Sequence, residues 1–115
     1  MIFVDIKANL DTPEVLAILA DCVFDNSEAG MAQLVRDYQS KPSFQVFGII
    51  QAGKIVGVVG FRALPENVEV MHIAVAKKYQ RKGIGGKLVH ELGVRYMLPI
   101  EAETDDDAVD FYRKC

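Results

Sequence analysis

The sequence predicts a single α+β domain, residues 1–115, in which helices lie on both faces of a mixed central sheet in an α/β/α arrangement. Two apolar runs, residues 44–51 and 55–63, are joined by a short turn that contains glycine, which is typical of a β-hairpin. A third run, residues 68–75, leads through glycines into an amphipathic helical pattern that ends near Tyr96. An apolar run at residues 98–102 follows this helix, and strand–helix–strand crossovers return the chain in the same direction. We therefore expect strands two to four to be antiparallel and strands four and five to be parallel.

The remaining elements are one strand and three helices. Ile2 to Lys7 reads as the first strand. Asp11-Thr12-Pro13-Glu14 starts a helix, because a cap residue precedes a proline in the first turn. A second helix is predicted from about Ser27, and acidic residues from Thr104 onward start a last helix that passes through Tyr112. Gly57 and Gly60 interrupt the third strand, which indicates a bulge or close packing by a helix.

Composition excludes several classes of protein. A net charge of −3 argues against a general nucleic-acid binder, whose footprint is basic. No apolar run reaches the roughly 20 residues of a membrane span. Two histidines and two cysteines, separated along the chain, give no metal-ligand spacing. Cys22 is expected to be a small buried hydrophobe. With so few cysteines and no signal peptide, we expect a cytoplasmic protein that contacts neither nucleic acid nor membrane.

The junction between the fourth strand and its helix predicts an anion-binding site. Charged residues from Lys77 to Lys82 are followed by Gly83, Gly85 and Gly86, and the helix opens directly from these glycines. The first turn of a helix carries N–H groups without partners and about half a positive charge. Glycines let the backbone approach a ligand closely. A phosphate or diphosphate is the expected ligand.

Two well-known phosphate loops do not fit this junction. A phosphate loop ending at Gly86-Lys87 requires glycine at the position of Arg81 and serine or threonine at the position of Leu88. The dinucleotide fingerprint that starts at Gly83 also requires glycine where Leu88 stands. Both patterns fail at these positions.

The junction does resemble the signature of the GNAT superfamily, the acyl-CoA-dependent N-acyltransferases. The family pattern Gln/Arg-x-x-Gly-x-Gly/Ala matches Gln80-Arg81-Lys82-Gly83-Ile84-Gly85. Ile73-Ala74-Val75 resembles the family's apolar strand end, and Tyr79 resembles the aromatic residue that often precedes its loop. The resemblance implies a GNAT-like fold with acetyl-CoA as co-substrate, and it implies that the pantetheine arm pairs with the free edge of the fourth strand. The implied cofactor-binding residues are Ile73, Ala74, Val75, Gln80, Arg81, Lys82, Gly83, Ile84, Gly85 and Gly86.

The same resemblance implies N-acetyltransferase chemistry, in which a primary amine attacks acetyl-CoA directly in a ternary complex. Tyr112, within Ala108-x-x-Phe111-Tyr112, matches the family tyrosine that protonates the departing thiolate. Glu69 is the candidate general base, and by strand alternation it faces the same way as Ile73 and Val75 while His72 faces the other way. Each candidate has a structural alternative. Glu69 could be a solvated strand-end residue, Tyr112 a half-buried helix anchor and His72 a packing residue.

Two departures from the family pattern affect what can be carried over. Asp105 stands where the family carries asparagine, which puts a side-chain contact from that position to the cofactor in doubt. The sequence also ends at Cys115, before the family's last two strands, so we expect no C-terminal hairpin here: the product is truncated, or these strands were lost or come from another molecule. An open sheet edge would then favour a homodimer.

The acceptor and the functional class stay open at this stage. A small-molecule or peptide amine is expected as substrate, and the acidic residues 101–110 would either attract a cationic amine or form a solvated cap. A non-catalytic acyl-CoA-binding sensor or an interaction domain of the same fold is the alternative to an enzyme.

Overall fold

The computed structural model describes residues 2–23 and 25–102, with only the backbone described at Ala102. Within these ranges there are five strands, three α-helices and two 3₁₀ turns, at Lys7–Asn9 and Lys77–Tyr79. The strands are β1 (Ile2–Asp5), β2 (Phe44–Gln51), β3 (Lys54–Ala63), β4 (Val68–Val75) and β5 (Ile100–Ala102). The helices are α1 (Pro13–Ala20), α2 (Glu28–Ser40) and α3 (Ile84–Tyr96). The predicted last helix lies outside the described residues.

The strands form one mixed sheet in chain order, β1-β2-β3-β4-β5. The first three pairings are antiparallel, and β4 pairs with β5 in parallel. The predicted sheet is therefore confirmed. β5 starts two residues later than expected. Pro99 precedes it and has no N–H to donate to a ladder, while its carbonyl accepts a hydrogen bond from Val68 N at 2.9 Å.

Local sequence signals account for the turns and helix starts. Ala52 and Gly53 both adopt positive φ, 54° and 76°, as the two central residues of a type I′ hairpin turn do. Pro13 occupies the first turn of α1 after Thr12 as the capping position. Ser27 caps α2, since its hydroxyl accepts a hydrogen bond from Gly30 N at 3.1 Å.

Two hydrophobic clusters cover the two faces of the sheet. The α3-side core contains residues from the sheet and from α3, whereas the α1/α2-side core joins the sheet to α1 and α2. The buried members of the α3-side core are Phe47, Ile49, Val56, Val59, Phe61, Val68, Val70, Val75, Ile84, Leu88 and Leu92. The buried members of the α1/α2-side core are Ile6, Leu10, Val15, Ile18, Leu19, Met31, Tyr38, Val46, Val58 and Ala74. The predicted α/β/α layering follows from this division.

A β-bulge in β4 reverses the facing that simple alternation predicts. Gly60 of β3 pairs with His72 and Phe61 pairs with Val70, so Met71 is an extra residue in β4. On the C-terminal side of this bulge Ile73 and Val75 pack in the α3-side core, the same core that holds Val68 and Val70 on its N-terminal side. On the other face of the sheet, toward α1 and α2, lie Glu69, Met71, His72 and Ala74.

This bulge corrects two predictions about candidate residues. Glu69 does not face the same way as Ile73 and Val75, because one extra residue separates the two halves of the strand. Glu69 instead shares the α1/α2 face with His72, which sequence alternation had placed on the opposite side. Both candidate proton-transfer groups of β4 therefore lie on one face of the sheet.

Both glycines of β3 are close-packing positions, as the sequence indicated. A Cβ atom at Gly57 would lie 2.8 Å from Ile84 Cγ2 of α3. A Cβ atom at Gly60 would lie 2.3 Å from Tyr38 Oη of α2. The two glycines thus allow helices to approach β3 closely from opposite faces.

Candidate functional site

The turn between β4 and α3 has the backbone geometry of an anion-binding nest. β4 ends at Val75, a 3₁₀ turn follows at Lys77–Tyr79, and α3 begins at Ile84. In the turn Arg81 and Gly83 both adopt positive φ, 64° and 79°. Such conformations in short succession point neighbouring N–H groups toward one concave surface.

The N–H groups of residues 81–86 are available for a ligand. Within the described part of the chain, none of these six groups donates a hydrogen bond of normal length and angle. The first paired amide of α3 is Lys87 N, which donates to Gly83 O at 2.9 Å. Unpaired donors at a helix N-terminus are the groups that bind phosphate.

Gln80 positions this turn. Its side-chain amide donates from Nε2 to the carbonyl oxygen of Val75 at 3.0 Å, which ties the start of the turn to the end of β4. The side chain of Gln80 is therefore engaged with the protein. If Gln80 contributes to cofactor binding as predicted, it does so through its backbone and by holding residues 81–86 in place.

Basic side chains surround the turn. Lys77, Lys78, Arg81 and Lys82 are exposed, and Lys82 Nζ lies 5.7 Å from the centre of the Tyr79 ring. Lys87 is already paired, with Nζ 3.2 Å from Glu91 Oε1. The four exposed cations raise the local potential, which favours a ligand with several negative charges.

The edge of β4 that continues from this turn has no partner strand among the residues that the structure describes, and we call it the uncovered edge. The parallel pairing joins only Val68–Val70 to Ile100–Ala102, and no pairing of residues 71–75 with a strand other than β3 occurs in the described ranges. Ala76 N donates to Val56 O of β3 at 2.8 Å. Because backbone groups alternate along a strand, the N–H groups of Ile73 and Val75 point away from β3. An extended ligand could pair with this edge as an additional strand.

Glu69 lies in the covered part of β4 and is ion-paired. Its Oε2 atom is 2.6 Å from Nη2 of Arg62, and only 18% of its side chain is exposed. It also sits directly opposite Glu101 across the β4–β5 pairing. The predicted base is thus already engaged by a guanidinium, through a charge-assisted hydrogen bond.

On the same face His72 bonds to Tyr38, a residue that the sequence did not single out. Tyr38 of α2 and His72 of β4 are joined by a hydrogen bond of 2.6 Å between Oη and Nδ1, although 34 residues separate them. Burial raises the pKa of Tyr38 and lowers the pKa of His72. The phenol is therefore protonated and the imidazole neutral at pH 7. We refer to these two residues as the Tyr38–His72 pair.

Cys22 lies beside this pair at the end of α1. It is exposed, contrary to the expectation that it is a buried hydrophobe. Desolvation of the thiol, together with the charge of Asp21, raises its pKa to about 11, and a hydrogen bond with the Ile73 backbone partly opposes this rise. Even the ordinary value of 9.0 leaves the thiol protonated at pH 7. Cys22 is therefore a neutral neighbour of the strand edge and not an activated nucleophile.

The second predicted catalytic residue, Tyr112, lies outside the described residues, as do Asp105 and most of the acidic run. Among residues 2–23 and 25–102, no three His, Cys, Asp or Glu side chains come together as metal ligands do. No helix in the same ranges is long and apolar enough to cross a membrane.

A mixed sheet whose fourth strand ends in a basic nest, beside an uncovered strand edge, has the geometry and charge that suit an extended, phosphate-bearing ligand. A family model described as an acetyltransferase (GNAT) domain matches residues 42–115. This chain therefore belongs to the GNAT acetyltransferase family, as the sequence motif indicated. No curated protein sequence matches the chain.

Solved structures of this family share the fold. An IAA acetyltransferase from Bacillus cereus is 28% identical, with a TM-score of 0.69 over 99% of this chain and 74% of its own. A ribosomal-protein-alanine N-acetyltransferase from Brucella melitensis biovar Abortus is 21% identical, with a TM-score of 0.73 over 99% of this chain and 90% of its own. An aminoglycoside N-acetyltransferase in complex with CoA is 10% identical, with a TM-score of 0.72 over 97% and 82% of the two chains.

Proposed function

We propose that this protein is an N-acetyltransferase that transfers the acetyl group of acetyl-CoA to a primary amine in a ternary complex. The observation that carries this proposal is the set of six unpaired N–H groups at residues 81–86, surrounded by exposed cations at the end of an uncovered strand edge. Family membership supports the transferase class. The structure of one family member with CoA supports the choice of donor.

The donor would lie along β4 and the start of α3. Its diphosphate would accept hydrogen bonds from the backbone of residues 81–86, where the α3 dipole adds to the charge of Arg81 and Lys82. Its pantetheine arm would pair with the outward-facing N–H of Val75 and would replace Cys22 as the partner of the Ile73 backbone. This path places the thioester near the bulge, because pairing with β5 closes the edge from Val70 toward Val68.

The proposed reaction forms a C–N bond and breaks the C–S bond of the thioester. The neutral amine attacks the carbonyl carbon, the oxyanion accepts hydrogen bonds from strand-edge N–H groups, and the thiolate leaves and takes a proton. Tyr112 is the proposed donor of that proton, as the family motif implies. An amine with a pKa of about 10.4 is rarely neutral at pH 7, which costs about 4.6 kcal/mol, so a base on the acceptor side lowers the barrier. Glu69 is the base that the sequence nominates.

The acceptor is proposed only as a primary amine. The three solved relatives are named for IAA, for a ribosomal-protein alanine and for aminoglycosides, so their names give no single substrate class. A reducing cytoplasm is the proposed compartment, on the composition of the sequence.

Binding of the donor is tested by thermal and denaturant stability. Acetyl-CoA at 100 times its dissociation constant should stabilise the folded state by about 2.7 kcal/mol. Lys82→Glu should weaken this binding at least tenfold, because it replaces a cation beside the nest by an anion. Arg36→Glu is the matched control, since it makes the same charge change at an exposed site on α2. Equal loss of binding in both variants would contradict the proposed position of the diphosphate.

Turnover is tested separately by the release of free thiol from acetyl-CoA across a panel of primary amines. Amine-dependent release, reduced about 100-fold in Tyr112→Phe, is the expected result. Donor binding without release for any amine in the panel would instead favour the non-catalytic acyl-CoA sensor.

A further inference from the structure

We propose that His72, held in place by Tyr38, is the general base that takes the proton from the acceptor amine, in place of Glu69. This inference rests on the proposed acetyl transfer and names the group that removes the amine proton. The arguments come from position along β4, from the hydrogen bond at Nδ1 and from Nε2, which the described residues leave unengaged.

The position of His72 matches the reacting end of the donor. β5 covers the edge of β4 from Val68 to Val70, so an acyl donor that runs back from the nest along this edge reaches no further than Met71. His72 belongs to the uncovered stretch, whereas Glu69 belongs to the covered one. The bulge at Met71 directs His72 to the α1/α2 face.

The opposite face of this stretch offers no titratable side chain. Ile73 and Val75 pack there against α3 within the α3-side core. Among residues 71–75 the side chain that can accept a proton is therefore His72, on the α1/α2 face. The bulge thus determines which titratable group meets the acceptor.

The hydrogen bond with Tyr38 orients the imidazole and stabilises its charged form. Tyr38 is 2% exposed, and its ring lies against Gly60 of β3, which pairs with His72 in the neighbouring strand. With a proton on Nδ1, the ring donates to the phenol oxygen and presents the lone pair of Nε2. When Nε2 gains the amine proton, the Nδ1–H bond to Tyr38 persists. The phenol oxygen then accepts a hydrogen bond from an imidazolium, and such bonds are stronger than neutral ones.

The second ring nitrogen is not engaged by the described residues. Nε2 of His72 has no hydrogen-bond partner among them, whereas Nδ1 bonds to Tyr38 Oη. A base needs such an open lone pair within reach of its substrate.

The electrostatic surroundings keep the imidazole neutral. Its pKa is lowered by burial. Among the described residues, the titratable groups on its side of the sheet include Tyr38, which bonds to it, the Cys22 thiol beside Tyr38, and Glu69, which is paired with Arg62 of β3. A neutral imidazole can accept a proton at pH 7, and imidazole has an ordinary pKa closer to neutrality than a carboxylate does.

The test compares four variants with the wild-type protein, using an amine of pKa about 8, such as a peptide α-amino group. Such an amine keeps a measurable neutral fraction across the pH range of interest. His72→Gln should lower kcat about 100-fold or more, while acetyl-CoA affinity changes less than twofold. His90→Gln is the matched control, because His90 is exposed on α3. Glu69→Gln measures the competing assignment.

The pH profile separates a base from a structural residue. In the wild-type protein kcat/KM should decline below pH 6.5 as His72 becomes protonated, and this limb should be absent in the residual activity of His72→Gln. Tyr38→Phe keeps the histidine and should move the same limb to lower pH, because the imidazolium loses its hydrogen-bond acceptor. This second variant tests the idea even if His72→Gln does not fold.

The outcomes are distinct. A tenfold or smaller loss in His72→Gln, with a large loss in Glu69→Gln, would overturn the assignment while leaving the transferase intact. An unchanged acidic limb in Tyr38→Phe would also overturn it. Absence of turnover in the wild-type protein would overturn the proposed function and the base together.

Discussion

The contact between Gly60 and Tyr38 predicts a large and specific effect of adding one methyl group to β3. A Cβ atom at residue 60 would lie 2.3 Å from Tyr38 Oη, 2.6 Å from Cζ and 3.0 Å from Cε1. The shortest of these is about 1.1 Å below the 3.4 Å at which ordinary contact begins. Gly60→Ala therefore forces the Tyr38 ring to move by about 1 Å in a buried site.

The expected cost has two parts. Overpacking of a well-packed core costs about 1–3 kcal/mol. Movement of the phenol also disrupts its bond to His72, and a net hydrogen bond contributes about 1 kcal/mol. Gly60→Ala should thus destabilise the protein by about 2–4 kcal/mol, a large share of the roughly 5–15 kcal/mol that folded domains possess.

Equilibrium urea unfolding measures this change. The midpoint should fall while the slope m is unchanged, because the surface exposed on unfolding is the same. Gly93→Ala is the matched control: its Cβ would meet nothing within 4 Å, and alanine in the interior of α3 should stabilise the protein by up to about 1 kcal/mol. A free energy of unfolding for Gly60→Ala within about 0.5 kcal/mol of the wild-type value would refute the packing argument, because ordinary surface substitutions change it by about that much.

Four further perturbations follow from the described contacts. Burial lowers the pKa of His72, so the unfolded chain binds a proton there more readily than the folded protein does. The free energy of unfolding should therefore decrease as pH falls below about 6.5 toward the folded-state pKa. In urea titrations at several pH values, His72→Gln should reduce this dependence on pH. Ser27→Ala removes the cap of α2 and should cost about 1 kcal/mol by the same method. Gly53→Ala places a side chain at a φ of 76° and should cost about 1–2 kcal/mol. Gln80→Ala removes the tie between the nest and β4 and should weaken acetyl-CoA binding several-fold in calorimetry, since the turn loses a bond of about 1 kcal/mol.

Matched substitutions make these four results decisive. Ser27→Asp retains a capping oxygen and should retain the stability that alanine loses. Gly53→Asn tolerates positive φ and should be less harmful than alanine at the same position. Gln80→Glu cannot donate to the Val75 carbonyl, so it should behave as alanine does. A pH slope that survives in His72→Gln would assign the linkage to another group.

The parts of the fold encoded in short segments were predictable from the sequence. The Ala52-Gly53 turn, the capped start of α2 and the glycine-rich entry into α3 are local, because each depends on the φ preference or hydrogen-bonding capacity of residues within a few positions. The parallel return of β5 followed from the crossover through α3. These features were sufficient to place the nest at residues 80–86.

The arrangement on the acceptor face was not predictable in the same way. The bulge at Met71 depends on how β4 pairs with β3, and the alternation of side chains along the sequence of β4 does not indicate an extra residue. Glu69 was consequently assigned to the wrong face. Tyr38 follows the apolar stripe of α2, so its pattern indicated only burial. Its hydroxyl needs a partner when it is buried, and Gly60 indicated a close approach, but nothing in the sequence joined these residues to His72.

The link from Gln80 to Val75 also sets a distance within the protein. Because the Gln80 side chain bonds to the last residue of β4, it helps to hold the anion-binding turn at one distance from the outward amides of the strand. For the proposed donor, the distance between the anion-binding turn and the outward amides of β4 sets the length of arm that fits. A thioester whose acyl carbon lies a bond or two nearer its diphosphate would not reach the bulge. Selection among acyl carriers would then depend on the span of the arm as much as on the chemistry of either end.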